Sequence, residues 1–148
     1  MWGNWGAMLA LPLLVLHMAI SPHKIADSKL MAALLLIGVV IDGTLTTTGF
    51  IIFHEKGVPI PLWLALLWLG LGTMPHHSLR WLKGRLLLSS ILGAVCGPLA
   101  YWAGVRLEVA TFSLPLGQSL LILALIWALV WPVSMYHAEK ILSTKQGK

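Results

Sequence analysis

The segment that decides the fold is Leu30–Phe53, which reads LMAALLLIGVVIDGTLTTTGFIIF. It is long enough to cross a bilayer, because a transmembrane helix needs about 20 predominantly apolar residues. Its only acidic residue is Asp42. A carboxylate at that depth costs roughly 2.5–3.5 kcal/mol on insertion scales, so it normally faces a partner, a cavity or a proton path. The segment therefore predicts a membrane helix with one polar point inside it.

The composition of the whole chain also indicates a membrane protein. Of its 148 residues, 58% are hydrophobic and only 10% are charged, whereas soluble domains carry about 25% charged residues. The net charge of +5 does not indicate a nucleic-acid partner, because the basic residues lie in short loops between apolar segments. The single cysteine, Cys96, excludes an internal disulfide and a cysteine-based zinc site.

Five apolar segments are predicted to span the membrane, at residues 2–20, 30–53, 61–77, 86–105 and 116–136. Lipid offers the backbone no hydrogen-bond partners, so these segments are predicted to be helices. They do not show the apolar–polar alternation of a transmembrane barrel. The predicted fold class is an all-α polytopic transmembrane bundle, with a single domain over residues 1–148.

The basic residues predict the orientation of this bundle. Eight of the ten lie on one side of a five-span arrangement, in the first and third loops and in the C-terminal tail. The positive-inside rule places that side in the cytoplasm, with the N-terminus outside and the C-terminus cytoplasmic. No basic residue precedes the first segment, so we interpret it as a retained anchor and not as a cleaved signal peptide.

One face of the second segment combines Asp42 with Gly38, Thr46 and Gly49 at helical spacing. Gly38 and Gly49 are predicted helix-packing positions, because small residues let helix backbones approach closely. Thr46 can bond to Asp42 or to its own backbone. We expect Asp42 and Thr46 to line a ligand cavity between the second and fourth helices. The alternative is that Asp42 only joins helices through hydrogen bonds.

A second polar group closes the third segment. His76 and Arg80 are four residues apart and share a helical face, so we expect them to contact lipid headgroups or an anionic group. Adjacent His76 and His77 point about 100° apart on a helix and are not expected to enter one narrow site. His17 reaches a similar depth on the first segment. Asp42 lies on the order of 10 Å deeper, so we expect no metal site and no cofactor.

The fourth segment carries Ser89, Gly93, Gly97 and Tyr101 at intervals of four residues. The first three are predicted helix-packing positions, and Tyr101 is a predicted ligand-binding residue. A neighbouring helix of the same chain is favoured as the packing partner over a second copy. The sequence leaves open whether the protein forms a homo-oligomer or joins a partner membrane subunit.

The sequence resembles a known family in two motifs and in the position of Asp42. The motifs are GTMPHHSLRWLKGR at Gly72–Arg85 and GPLAYWAG at Gly97–Gly104. Together they resemble the domain-of-unknown-function family 2878 of small bacterial inner-membrane proteins, over most of the chain from Leu9 onward. The resemblance implies a multi-pass protein of the bacterial inner membrane. It assigns no reaction, so no catalytic role carries over.

The resemblance implies two further points. Genes of this family often neighbour genes for fatty-acid-modifying enzymes such as cyclopropane synthases, which is a hint toward lipid chemistry. Family members often begin with a further apolar helix, and this chain starts close to their second span. Either that helix is missing from this sequence, or the protein does without it.

The leading functional hypothesis is binding or transport of a small or lipidic molecule in an intramembrane cavity around Asp42. The expected partners are membrane lipids and such a ligand. A lipid-modifying membrane enzyme that uses Asp42 or His76 as acid and base is the second hypothesis. A non-catalytic accessory membrane subunit is the third.

Overall fold

A computed structural model describes residues 2–55, 57 and 59–146 of the chain. These residues form five α-helices and two short strands. In chain order the elements are α1 (Trp2–Ile20), α2 (Lys24–Thr47), β1 (Ile51–Phe53), α3 (Leu62–Thr73), α4 (Leu86–Arg106), β2 (Ala110–Phe112) and α5 (Leu116–Gln146). Two short 3-10 helices, Met74–His76 and Arg80–Leu82, connect α3 to α4.

Three of the described helices are long and apolar enough to cross a membrane, over Lys24–Thr47, Leu86–Arg106 and Leu116–Ile141. Two shorter apolar stretches, Leu9–Ile20 and Leu62–His76, accompany them. The predicted helical architecture is therefore confirmed, with three helices that are long and apolar enough to span a membrane. The number of five spans and the direction of the termini stay predictions.

The outer surface of the helices is apolar. Leu9, Leu87 and Leu129 expose 71%, 77% and 70% of their surfaces, and further aliphatic side chains of α1, α2, α4 and α5 are also exposed. Large contiguous apolar surfaces are rare on monomeric soluble proteins and mark a membrane or protein interface. This surface is the one expected for helices that face lipid.

The second helix differs from its prediction at both ends. It begins at Lys24 and not at residue 30, and it ends at Thr47 and not at residue 53. The start is earlier because Asp27, in the first turn, is fully buried among polar partners and is no solvated loop charge. The end is earlier because Gly49 adopts a φ of +71°, which an α-helix does not accommodate.

Residues 51–53, which were predicted to continue that helix, form β1 instead. This strand pairs antiparallel with β2, and Ile51 lies opposite Phe112. The pairing satisfies the backbone groups of both segments. Ile51 and Ala110 are buried with Leu45 of α2 and Leu123 of α5 in a small apolar cluster. The strand pair thereby closes the end of the bundle where α2 and α4 end.

The predicted small-residue contacts on α4 lie against α5 of the same chain. A side chain at Gly93 would overlap the backbone of Trp127, and one at Gly97 would overlap its ring. Ser90 also donates a hydrogen bond of 2.6 Å to the carbonyl oxygen of Ala128. These contacts agree with the expectation that the partner helix lies within the chain. Ser89 is fully buried beside them.

Gly49 does not have the expected packing role. It follows the end of α2, it is exposed, and a Cβ atom there would contact nothing within 4 Å. Its function in the structure is conformational, because its positive φ turns the chain from α2 toward β1.

Candidate functional site

Asp42 is fully buried, and both of its carboxylate oxygens accept hydrogen bonds. The indole N–H of Trp68 donates to Oδ2 over 2.6 Å, and the hydroxyl of Tyr101 donates to Oδ1 over 2.6 Å. These bonds join α2 to α3 and to α4. The buried carboxylate of Asp42 therefore connects three helices.

Two glycines make this junction geometrically feasible. Gly38 lies one helical turn before Asp42, and a side chain at Gly38 would overlap the ring of Trp68. The ring therefore crosses α2 at Gly38, and its N–H reaches the carboxylate one turn later. Gly97 lies one turn before Tyr101 on α4, and there the ring of Trp127 covers the backbone. Asp42 and Tyr101 thus each lie one turn after a glycine, and the missing side chain of that glycine leaves room for a tryptophan ring.

The two indole rings stack between these glycines. The ring centroids of Trp68 and Trp127 are 5.3 Å apart, and their planes differ by 12°. Tyr101 meets Trp127 edge-on at 6.4 Å. Both tryptophans are buried.

A cavity of about 560 Å³ lies beside this aromatic cluster. Helices α1, α3 and α4 supply most of its lining, together with both strands and Trp127 of α5. Aliphatic and aromatic side chains dominate the lining. Among the lining residues, those whose side chains carry a nitrogen or oxygen atom are Trp63, Trp68, Thr73, Tyr101, Trp127 and His17.

The cavity differs from the predicted one in its position. We expected it between α2 and α4, but none of the described side chains of α2 lines it. The reason is that the Trp68 ring packs on Gly38 and occupies the space beside that face of α2. Asp42 therefore does not line the cavity, although both of its partners do.

Thr46 is not part of the cavity either. Its hydroxyl donates to the backbone carbonyl of Asp42 over 2.7 Å, and its side chain is exposed. Of the two bonding modes expected for Thr46, the structure has the one within its own helix backbone. Such a bond satisfies the hydroxyl without a partner from another helix.

A second polar cluster surrounds Asp27, a residue that no sequence pattern singled out. Asp27 is fully buried. Its Oδ2 accepts the Ser21 hydroxyl at 2.5 Å and lies 2.9 Å from Nε2 of His77 and 3.5 Å from Nε2 of His17. Its Oδ1 lies 2.8 Å from Nδ1 of His76. The histidines singled out by the sequence thus meet a carboxylate, but it is Asp27 and not Asp42.

Both adjacent histidines reach Asp27 because the chain is not α-helical there. Helix α3 ends at Thr73, a 3-10 helix follows, and His77 has φ −121° and ψ −99°. The expectation that His76 and His77 could not share one narrow site is therefore wrong, since it assumed continued α-helix. Pro75 sits inside this break and is buried.

Hydrogen-bond geometry places a proton between His76 and Asp27. The carbonyl oxygen of Ala138 lies 3.0 Å from His76 Nε2, and a carbonyl can only accept, so Nε2 carries the hydrogen. The short contact from Nδ1 to Asp27 Oδ1 then needs one more proton, which either group can hold. This pair links the 3-10 helix to α2 and to α5.

His76 and Arg80 do not face the cavity. His76 is buried with both ring nitrogens engaged, and Arg80 is exposed. Neither His76 nor Asp42 is therefore positioned to act as acid or base on a molecule in the cavity.

The ammonium group of Lys83 lies near Arg80. Partial burial lowers the pKa of this ammonium, and the positive charge of Arg80 lowers it further.

His17 belongs to both regions. It lines the cavity and its Nε2 faces Asp27. The signal that could have revealed this cluster is the acid in the first turn of an apolar helix, flanked by Lys24 and Lys29. That pattern looks like a solvated loop in the sequence, because the partners of Asp27 come from distant segments.

The chain matches a known family over most of its length. A model described as a protein of unknown function, DUF2878, matches residues 1–133 and so covers nearly the whole chain. No curated protein and no solved structure matches the chain.

Proposed function

The chain belongs to the DUF2878 family, and we propose that it is a membrane protein that binds a lipid-like, largely apolar molecule in the cavity between α1, α3 and α4. The observation that carries this proposal is the lining of the cavity. A volume of about 560 Å³ lies within the range of roughly 300–1,000 Å³ that is usual for ligand pockets.

The shape of the lining supports an elongated ligand. It follows α3 from Trp63 to Thr73, which is about 15 Å along a helix axis. Leu13, Leu64 and Leu71 are among the side chains along it. An acyl or prenyl chain in this cavity would gain dispersion contacts with its aliphatic and aromatic walls.

Asp42 has an indirect role in this proposal. By accepting hydrogen bonds from Trp68 and Tyr101, it fixes two aromatic side chains of the cavity wall. Asp42 is thus a positioning residue, and the atoms that contact the ligand belong to its partners and to the aliphatic lining.

The proposal also includes the membrane in which the protein lies and its orientation there. We place it in the bacterial cytoplasmic membrane, with the Asp27 cluster at the cytoplasmic end. That end carries Arg80, Lys83 and Arg85, and basic loops are retained on the cytoplasmic side.

The test compares two glycine variants. Gly70 lines the cavity, and a Cβ there would contact nothing within 4 Å, so Gly70→Leu fills part of the cavity without a backbone clash. Gly43 on α2 is equally free of neighbours but is not a lining residue, so Gly43→Leu is the matched control. Both changes replace a helical glycine with a better helix former.

The probe is a long-chain fatty acid brominated along its chain, added to the detergent-purified protein. Trp63, Trp68 and Trp127 line the cavity, so a bound bromine atom quenches their fluorescence. We expect saturable quenching in the wild type and in Gly43→Leu, and only weak, linear quenching in Gly70→Leu. Equal saturable quenching in both variants, or none in the wild type, would refute binding at this site.

A further inference from the structure

We propose that His17, Asp27 and His77 form a binding site for a divalent transition-metal ion of the zinc type. The ligating atoms are Nε2 of His17, Oδ2 of Asp27 and Nε2 of His77. They lie within 4.8 Å of one another. They come from α1, α2 and the segment after α3, so the site exists only in the folded chain.

The spacing of these atoms is close to that of a tetrahedral site. Bonds of about 2.0–2.2 Å to zinc separate neighbouring ligand atoms by roughly 3.3 Å. Asp27 Oδ2 lies 2.9 Å from His77 Nε2 and 3.5 Å from His17 Nε2, so the two distances bracket that value. The two histidine nitrogens lie within 4.8 Å of each other, so the imidazoles adjust their positions when the ion binds.

The donor set selects the class of metal. Two imidazole nitrogens and one carboxylate oxygen suit zinc and related transition metals, whereas magnesium and calcium prefer oxygen ligands alone. Three protein ligands leave a fourth position for water or another group, as in open zinc sites. His17 lines the cavity, so it connects this site to the cavity.

An unsatisfied polar atom gives an independent indication. Nε2 of His17 is buried and has no hydrogen-bond partner among the residues that the structure describes. Such atoms are rare in folded proteins and need an explanation. A metal ion bound to the lone pair of this nitrogen would satisfy it.

Outer partners hold the carboxylate in place, as is usual around metal ligands. His76 engages Asp27 Oδ1 at 2.8 Å and is itself held by the Ala138 carbonyl. Ser21 donates to Oδ2 and accepts the backbone N–H of His23 at 3.0 Å. His17 and His77 keep 24% and 30% of their side chains exposed, which leaves a path for the ion.

The test uses the full chain, purified in detergent without a histidine tag, stripped with a chelator and titrated with Co²⁺ and then Zn²⁺. We expect one equivalent of Co²⁺ to give the intense visible bands of a tetrahedral complex, and Zn²⁺ to displace it. His17→Gln is the decisive variant, because Nε2 of His17 makes no hydrogen bond in the described structure and the side chain is partly exposed. The variant should therefore still fold, which its elution profile in size-exclusion chromatography checks.

Two further variants complete the design. His77→Gln should also abolish one-to-one binding. His137→Gln is the control, since His137 is exposed and bonds only to the Val133 carbonyl in its own helix. The wild type and His137→Gln should bind alike. A wild type without tetrahedral bands, or a folded His17→Gln that binds as the wild type does, would overturn the proposal. Neither readout depends on a lipid in the cavity, so the two proposals fail separately.

Discussion

Trp68 donates its indole N–H to Asp42 while its ring lies on Gly38, one turn earlier on the same helix. One residue of α3 thus makes an apolar and a polar contact with α2 at once. The same ring stacks on Trp127, which covers Gly97 of α4. The stacked pair therefore connects four helices through two glycines and one carboxylate.

The first prediction concerns the space at Gly97. A methyl group there would overlap the Trp127 ring, so Gly97→Ala should destabilise the bundle by about 1–3 kcal/mol through overpacking. The measurement is thermal unfolding in detergent, followed by size-exclusion chromatography. Gly43→Ala is the control, because no atom lies within 4 Å of its Cβ; it should unfold at or above the wild-type temperature. Equal midpoints would contradict the close contact.

The second prediction concerns the buried carboxylate. Asp42→Asn keeps one acceptor oxygen, so either Trp68 or Tyr101 loses its acceptor. We expect a loss of about 1–3 kcal/mol in the free energy of unfolding. In a double-mutant cycle with Tyr101→Phe, the two losses should be non-additive by at least about 0.5 kcal/mol.

The control for this cycle is Thr46→Val, which removes only a bond within one helix; its effect should stay within about 0.5 kcal/mol. One result would give Asp42 a different role in ligand binding. If Asp42→Asn abolished fatty-acid binding and left the unfolding temperature unchanged, the carboxylate would be a ligand contact and not a positioning residue.

The third prediction concerns the turn before β2. Glu108 has a φ of +57°, which strains any residue with a Cβ. Glu108→Gly should raise stability by up to about 1 kcal/mol relative to Glu108→Ala, because only glycine adopts this conformation freely. Both variants lose the carboxylate, so their difference in thermal midpoint isolates the strain. A glycine variant less stable than the alanine variant would show that the turn is not strained.

The fourth prediction concerns orientation. Because the basic residues follow the positive-inside pattern, a green fluorescent protein fused after the C-terminus should fluoresce in the cytoplasm. Alkaline phosphatase fused at the same position should be inactive, since it needs the oxidising periplasm. The reverse pair of results would invert the predicted topology and place the Asp27 cluster outside.

The limits of α1 and α4 could be predicted from the sequence, whereas α2, α3 and α5 differ from their predicted segments at one end or both. Helix α1 covers the residues predicted for the first segment, and α4 extends the fourth by one residue. Proline, glycine and basic residues interrupt the apolar segments there, and they act locally. The contacts of Gly93 and Gly97 could be predicted as well, because small residues at a spacing of four allow close approach whatever the partner is.

The Asp27 cluster and the strand pair could not be predicted in the same way. Asp27 is buried because Ser21, His76 and His77 arrive from other segments, and no local pattern reports that. Residues 51–53 look like a continued membrane helix, since their hydropathy is the same in either conformation. In both cases a non-local hydrogen-bond partner decides the local structure.

The pairing of β1 with β2 also constrains the order in which the protein is assembled. Ile51 is synthesised long before its partner Phe112, and both α3 and α4 lie between them in the chain. The amides of β1 therefore have no strand to pair with until α4 has been made. The strand pair can therefore seal this end of the bundle only after β2 has left the ribosome, two helices later than β1.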